Sequence, residues 1–121
     1  MNKILMVATV PSMIGQFNID NLRLLQELGY KVEVACNFKD RSVWTDERVH
    51  SFVQMMQSMQ ILTHQIDFPR NPSDVKDLLR AWRQMDQLVA GNNYVGVHCH
   101  TPVAAALTRV IAHKHKVRVV Y

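Results

Sequence analysis

The sequence has too few cysteines for a fold built on disulfides. Its apolar runs are too short to span a membrane. It contains 2 cysteines in 121 residues, and two cysteines do not make a disulfide framework. Cys36 and Cys99 both fall in predicted strands, so we expect buried free thiols in a reducing compartment. No run approaches the roughly 18 apolar residues of a membrane span, and the short run after Lys3 lacks a signal-peptide cleavage site. These absences predict a cytoplasmic protein.

Glycine is scarce, and the glycine-rich nucleotide motifs are missing. The 4 glycines form neither G-x-G-x-x-G nor G-x-x-x-x-G-K-[ST], which excludes the dinucleotide fingerprint and the usual triphosphate loop. Ser12 lacks the G-x-S-x-G context of a hydrolase nucleophile. No C-x-x-C or H-x-x-x-H pair occurs, and in a strand His98 and His100 would share one face while Cys99 points to the other. The sequence therefore predicts no metal site and no complete catalytic set.

Acidic residues are absent from the last third of the chain. All 10 Asp and Glu lie at or before Asp86, whereas Arg109, Lys114, Lys116 and Arg118 follow it and account for the net charge of +4. A basic patch of this kind attracts phosphate groups, anionic lipid or nucleic acid. Alternatively, Lys114 and Lys116 complement the dipole at the C-terminus of a predicted helix.

What the sequence does contain is a regular alternation of apolar strands and amphipathic helices. Short apolar or alternating runs predict strands at 3–10, 31–36, 60–68, 94–99 and 116–121. Helices are predicted at 16–28, at 45–58 with Thr45 as cap, from Asn71 and Pro72 to before Gly91, and from Thr101 and Pro102 onward. Strands separated by helices pair in parallel through right-handed crossovers. We therefore predict a single α/β domain over 1–121, a Rossmann-like, doubly wound parallel sheet of about five strands with four helices.

Polar residues follow the first and fourth predicted strands, where open α/β sheets bind their ligands. Gly15 and Gln16 lie in the predicted loop after the first strand. A glycine there lets the backbone approach a ligand and a helix N-terminus favours phosphate, although a plain tight turn also accounts for it. His98, His100 and Thr101 close the fourth strand. His100 is placed to donate to a phosphate or a sugar hydroxyl, or to hold the strand–helix turn, and we expect Gly15 and His100 to face one shared opening.

Two segments carry a resemblance to a known family. The run Lys3–Val10, a glycine-bearing loop and then Gly29-Tyr30-Lys31-Val32-Glu33-Val34 resemble the opening of family 4 glycosyltransferases of the GT-B fold. The run Val97-His98-Cys99-His100-Thr101-Pro102-Val103-Ala104-Ala105 resembles their V-H-x-H-T-P segment, found in bacterial exopolysaccharide and capsule enzymes. Together the two segments extend the resemblance over nearly the whole chain.

The resemblance implies a Rossmann-like N-terminal domain that holds the sugar acceptor. In the family a second, C-terminal domain binds the nucleotide-sugar donor, and the cleft lies between the two. Gly15 and its neighbours match the loop that faces the donor phosphates, and His100 matches a strand-end histidine that lines the cleft. The family's A-H-G segment, expected directly after Tyr121, and the donor domain with its paired glutamates are both absent from this chain.

Two expectations follow from the resemblance and from the strand that ends at Tyr121. This chain is expected to be a truncated domain, incomplete at its C-terminal end and inactive alone. The full-length enzyme is expected to transfer a sugar to a polysaccharide or lipid-linked acceptor with retained configuration. It would need no tightly bound metal or cofactor, and it would contact the inner face of the membrane peripherally.

Two other hypotheses compete with this one. A non-catalytic, flavodoxin-like α/β module that binds a ligand or regulates a partner would have the same element order. A nucleic-acid partner is the weaker alternative, because the basic end lacks the interleaved aromatic residues of such surfaces. An exposed sheet edge also predicts that two copies of the chain pair with each other.

Overall fold

The computed structural model describes residues 2–69 and 73–120. In this part of the chain five strands form one parallel sheet with the order β3-β2-β1-β4-β5. The strands are β1 (Lys3–Val7), β2 (Lys31–Cys36), β3 (Leu62–Gln65), β4 (Tyr94–Cys99) and β5 (Arg118–Val120). The helices are α1 (Pro11–Phe17), α2 (Ile19–Glu27), α3 (Asp46–Ser58), α4 (Val75–Ala90) and α5 (Pro102–Lys114). The predicted Rossmann-like, doubly wound fold is confirmed.

Helices cover the sheet from both sides, which explains the continuous apolar run of the first strand. Leu5 and Val7 pack in the core under α4 and α5, whereas Met6 and Ala8 pack under α1, α2 and α3. All four side chains are fully buried. A strand buried on both faces cannot alternate apolar and polar residues, so the central position of β1 follows from its composition.

The predicted helix over 16–28 is wrong at its start, because the structure contains two helices there instead of one. α1 begins at Pro11, where a missing backbone N–H removes no helical hydrogen bond. It ends at Phe17, and the side chain of the next residue, Asn18, donates from Nδ2 to the Met13 carbonyl at 2.7 Å and so competes with the helical backbone pattern. Gly15 therefore lies in a helix and not in a loop, and the described chain has five helices instead of four.

The other element ends agree with the predictions to different extents. β2 and β4 have the predicted bounds, and Thr45 caps α3 by accepting from the Arg48 N–H. α4 begins later than predicted, because the Asp74 carboxylate caps it; Asn71 and Pro72 lie outside the described residues. β1 and β3 are shorter than predicted, and Gln60, with a φ of 60°, turns the chain before β3 can start. β5 begins at Arg118, and Tyr121 is also outside the described residues.

Candidate functional site

The candidate site lies where the direction of strand order reverses, between β1 and β4. All strands are parallel, so their carboxyl ends share one edge of the sheet, here called the carboxyl edge. From this edge α1 leaves to one face and α5 to the other. Two helices that diverge from neighbouring strands open a crevice at the carboxyl ends, which is the usual ligand position in such sheets.

His98 and His100 stand together at the end of β4. Their ring centroids are 4.1 Å apart and both side chains are partly buried. Cys99, between them, points into the opposite core layer, as strand alternation predicted. The His100 Nε2 atom is buried and has no hydrogen-bond partner among the described residues. The site therefore contains one polar ring atom that the described protein leaves unsatisfied.

Both histidines are neutral at neutral pH. Burial lowers the pKa of His98. Burial, and to a lesser extent the neighbouring His98, lower the pKa of His100 to about 4. A neutral imidazole has one donor and one acceptor nitrogen, so this pair can bind a hydroxyl group. It carries no positive charge with which to bind a phosphate.

Thr101 ties the two strands of the crevice together. Its Oγ1 accepts from the Thr9 backbone N–H at 3.0 Å and lies 2.6 Å from the Thr9 Oγ1. The residue occupies the N-cap position of α5, but its side chain makes no capping hydrogen bond. Next to it, the His100 N–H donates to the Val7 carbonyl at 3.1 Å. These contacts fix the relative position of the β1 and β4 ends.

Gly15 and Gln16 have a different environment from the one predicted. α1 starts at the carboxyl edge, but Gly15 packs in its second turn against the indole ring of Trp44, and a Cβ built there would overlap that ring. The close approach that required a glycine is thus made by Trp44 within the described protein. Gln16 is exposed on α1. The structure brings His98, His100 and Thr101 together and places Gly15 and Gln16 on the neighbouring helix.

A row of hydrogen-bonded polar groups extends the site along the carboxyl edge. The Thr9 carbonyl accepts from the Asn37 N–H at 3.0 Å. Gln65 Nε2 donates to Asn37 Oδ1 and to Asp67 Oδ1, both at 2.8 Å. Gln84 Nε2 donates to Asp67 Oδ2 at 2.8 Å. We call Thr9, Asn37, Gln65 and Asp67, together with His100 and Thr101, the polar rim.

The sequence analysis did not predict Thr9, Asn37, Gln65 and Asp67 as site residues, although their places in the chain gave a signal. Thr9, Asn37 and Asp67 each lie at or just after the end of a predicted strand. Polar residues at every strand end, and not only at the two ends with a glycine or a histidine nearby, are therefore the signal that indicates this row.

The basic last third is partly neutralised. Lys114 Nζ lies 3.2 Å from Asp86 Oδ1, and His115 Nε2 lies 2.8 Å from the same oxygen. His113 and Lys114 also occupy the last turn of α5, where cations interact favourably with the helix dipole. These contacts favour the structural interpretation of Lys114 over a free basic patch.

No group of three or more His, Cys, Asp or Glu in the described part of the chain is arranged to hold a metal ion. None of its helices is both long and apolar enough to cross a membrane.

Comparisons with known proteins found a glycosyltransferase similar in sequence and proteins of different kinds similar in fold. No protein-family model matches the chain. A protein of Bacillus subtilis (strain 168), described as "Putative glycosyltransferase EpsD", is 29% identical over 122 residues, which cover 98% of this chain and 28% of that protein. MurG of Acinetobacter baumannii superposes with a TM-score of 0.64 at 14% identity over 98% of this chain and 34% of its own. The C-terminal domain of a Pyrococcus furiosus hydrogenase also superposes with 0.64, at 15% identity over 98% of this chain and 89% of its own.

The solved structures show the fold alone, because a hydrogenase domain matches as well as MurG does. The similarity to EpsD adds the sequence evidence that the fold lacks. Together they support the resemblance inferred from the motifs, that of a glycosyltransferase domain with a fold like that of MurG. The chain spans about 28% of the length of this curated relative.

Proposed function

We propose that this chain is the acceptor-binding N-terminal domain of a family 4 glycosyltransferase of the exopolysaccharide or capsule type. The whole enzyme would transfer a sugar from a nucleotide-sugar donor to a polysaccharide or lipid-linked acceptor. The motif around His98 and His100, the similarity to EpsD and the GT-B fold support this proposal. The donor domain would belong to a longer protein, so this chain alone would not transfer sugar.

The observation that carries the proposal is the unsatisfied Nε2 of His100 at the carboxyl edge. A buried polar atom without a partner costs about 1–3 kcal/mol. When the partly buried His100 ring turns its Nε2 atom towards the crevice, a hydroxyl of the acceptor would bind it and remove that penalty, which would contribute to the free energy of acceptor binding. We assign to His100 a hydrogen bond with an acceptor hydroxyl, and to His98 the role of holding the His100 ring in position.

His100 would bind the acceptor and would not act as its general base. A general base works best when its pKa is near the working pH, and the pKa of His100 is about 4 in this structure. Its half-buried ring instead offers a fixed direction for one hydrogen bond. Orientation of the acceptor is itself a large contribution to a transfer reaction.

The test uses the longer protein that the proposal requires and this chain beside it. Consumption of UDP-glucose, UDP-galactose and UDP-N-acetylglucosamine is measured with a membrane extract as acceptor source. We expect turnover by the longer protein and none by this chain. Replacement of His100 by Ala should lower kcat/KM about tenfold or more, mainly through the KM for acceptor, because about one hydrogen bond is lost.

The matched control is His50→Ala, an exposed histidine of α3 that should leave the kinetics unchanged. An unchanged KM for acceptor in the His100→Ala variant would contradict the assigned contact. If the longer protein consumes no nucleotide sugar and has no second α/β domain, the non-catalytic, flavodoxin-like module becomes the better proposal.

Peripheral contact with the inner face of a membrane belongs to the same proposal. Lys114 is already paired with Asp86, so we expect only weak attraction to anionic lipid from the end of α5. Vesicles with and without phosphatidylglycerol, sedimented at low and high salt, measure it. Binding that is weak and lost with salt is the expected result.

A further inference from the structure

β3 is an edge strand whose outer side is open. The strand order places β2 on one side of β3 and no strand of the described chain on the other. A cleft of about 710 Å³ lies where the start of this strand meets α2 and α3, on one face of the sheet. A second cleft, of about 460 Å³, lies beside α4 on the other face. The neighbouring helices therefore leave room for a further strand next to β3.

The backbone groups of Thr63 and Gln65 point away from the sheet. Along a strand, successive residues direct their N–H and C=O groups alternately to one side and to the other. The Ile66 N–H donates to the Cys36 carbonyl at 3.1 Å, so the even-numbered residues of this segment bond to β2. No backbone hydrogen bond joins Thr63 or Gln65 to a described residue on the outer side. The edge thus presents a row of donors and acceptors that a further strand could pair with.

Charge distinguishes β3 from β5, which is the other edge of the described sheet. Natural edge strands are protected against pairing by charged side chains, especially lysine, and by proline or bulges. Arg118 lies in β5 and Lys116 directly precedes that strand by two residues. The sequence of β3 is Leu-Thr-His-Gln, without lysine, acid or proline, and Leu62 is 53% exposed. β3 is therefore the edge that its side chains leave unprotected.

His64 does not oppose the pairing of two such edges, because a carboxylate accompanies it. Its Nε2 lies 2.7 Å from Glu33 Oε1, and the imidazole is partly exposed on the face covered by α4. A proton on the ring would be neutralised by Glu33. Two copies of this ion pair can therefore approach each other without a net charge.

We propose that two copies of this chain pair antiparallel through β3 and form one continuous sheet. Thr63 of each copy then lies opposite Gln65 of the other, and each such pair exchanges both of its N–H···O bonds. The two His64 residues face each other at the two-fold axis as a pair without backbone hydrogen bonds. The same surface is used on both copies, so the contact closes as a dimer, which is the commonest symmetric assembly.

The pairing leaves the candidate site of each copy open. The two-fold axis of an antiparallel pair is perpendicular to the sheet, so the carboxyl edges of the two copies face in opposite directions. β4, which carries His98 and His100, is separated from β3 by β2 and β1. The dimer is therefore compatible with the proposed function and does not depend on it.

The test measures the oligomeric state of this chain by sedimentation over a range of concentrations. A short strand gives a small interface, so we expect a weak dimer with a Kd on the order of 100 µM, sampled from about 5 µM to about 1 mM. Hydrogen exchange of the Thr63 and Gln65 amides should slow as the concentration rises, because the dimer buries them. A chain that remains monomeric up to about 1 mM would overturn the proposal.

Proline at an outward position tests the backbone contact directly. Thr63→Pro removes an N–H that points away from β2, so the fold should tolerate it as edge strands do. We expect the Kd of the dimer to rise about tenfold or more, because each copy loses a hydrogen bond to the other. Thr63→Val is the matched control: it keeps the N–H and should leave the Kd within about twofold of the parent.

A second pair of variants keeps the test valid if Thr63→Pro unfolds the chain. Leu62→Lys changes an exposed side chain and adds the charge that protects natural edges, so it should also weaken the dimer about tenfold. Val110→Lys on α5 adds the same charge at an equally exposed position and should have no effect. A dimer that persists unchanged in Leu62→Lys, or one that slows exchange in β5 and not at Thr63 and Gln65, would place the contact elsewhere and overturn the proposal.

Discussion

At the scale of single residues, Glu33 is the buried charge that links four strands. Its Oε1 accepts from the Tyr94 hydroxyl at 2.6 Å and lies 2.7 Å from His64 Nε2. Its Oε2 lies 3.8 Å from Lys3 Nζ. Burial alone would raise the pKa of Glu33, but the hydrogen bonds from Tyr94 and His64 outweigh it, so the pKa is lowered. The Glu33 side chain is 1% exposed and Tyr94 is buried beside it, whereas Lys3 and His64 are partly exposed.

Removal of Glu33 should therefore destabilise the fold strongly. We expect Glu33→Ala to lower the free energy of unfolding by about 3 kcal/mol, because it leaves the buried Tyr94 hydroxyl without its partner and removes a packed side chain from the core. Because the folded pKa is below the unfolded one, the contribution of Glu33 is complete above about pH 4.5 and is lost as the pH falls through the folded pKa. Urea unfolding at pH 7 and at pH 4 measures both effects. The exposed Glu27→Ala should change little, and equal losses at the two sites would contradict the role of burial.

Position 15 requires a glycine because of side-chain packing and not because of backbone conformation. Gly15→Ala improves helix propensity by about 1 kcal/mol, but its Cβ would overlap the Trp44 ring. Overpacking of this kind costs about 1–3 kcal/mol, so we expect net destabilisation. Thermal unfolding of Gly15→Ala, Trp44→Leu and the double variant measures the coupling between the two sites.

The control for this prediction is Gln16→Ala, an exposed neighbour on the same helix that should stay within about 0.5 kcal/mol of the parent. If the double variant is no more stable than the sum of the single changes predicts, the two residues do not act through that contact. The glycine would then have to be explained by another feature of α1.

At the scale of elements, the two threonines that precede α3 and α5 look alike in sequence but have different roles. Thr45 accepts from the N–H three residues later and caps its helix. Thr101 makes no such bond and binds Thr9, two residues after the end of β1. The local pattern predicted both helix starts correctly. It could not predict the partner of Thr101, which lies 92 residues away in the chain.

Substitution by valine should distinguish the cap from the cross-strand tie. Thr45→Val should cost about 1 kcal/mol and increase hydrogen exchange in the first turn of α3. Thr101→Val should cost a similar amount for its lost hydrogen bonds, but the exchange rate should rise at Thr9, at the end of β1. Serine at either position keeps the hydroxyl and should restore both values. A rise confined to the first turn of α5 in Thr101→Val would contradict the tie.

At the scale of the whole molecule, the two cysteines report on the two core layers. Both are free and buried, as the sequence predicted. Cys36 packs under α1, α2 and α3, and Cys99 packs under α4 and α5. Burial raises the pKa of Cys36 well above its usual value and that of Cys99 to about 11, so neither thiol is reactive in the folded state.

Thiol labelling should therefore measure how the domain opens. Since β1 lies between the two layers and contributes to both cores, we expect them to open together. Both thiols should then react with a disulfide reagent at one rate that follows the free energy of unfolding. Cys36→Ala and Cys99→Ala, labelled separately, give the two rates. A much faster rate at Cys99 would show that the β4–β5 side of the sheet opens by itself.

The candidate site was predictable only in part. His98, His100 and Thr101 could be placed at a strand end because β4 and α5 have strong local signals on either side of them. The helical position of Gly15 was missed, because Pro11 serves equally well in a loop and at a helix start.

The sequence by itself determined the alternation of strands and helices, the bounds of β2 and β4 and the burial of both cysteines, because hydrophobic periodicity acts over a few neighbouring residues. Only the tertiary structure decided that Trp44 covers Gly15, that Thr101 binds Thr9 and that Glu33 meets His64 and Tyr94. Each of these contacts joins segments that the order of strands in the sheet brings together. A residue's own neighbours in sequence carry no information about that order, so the partners become visible only once the sheet is assembled.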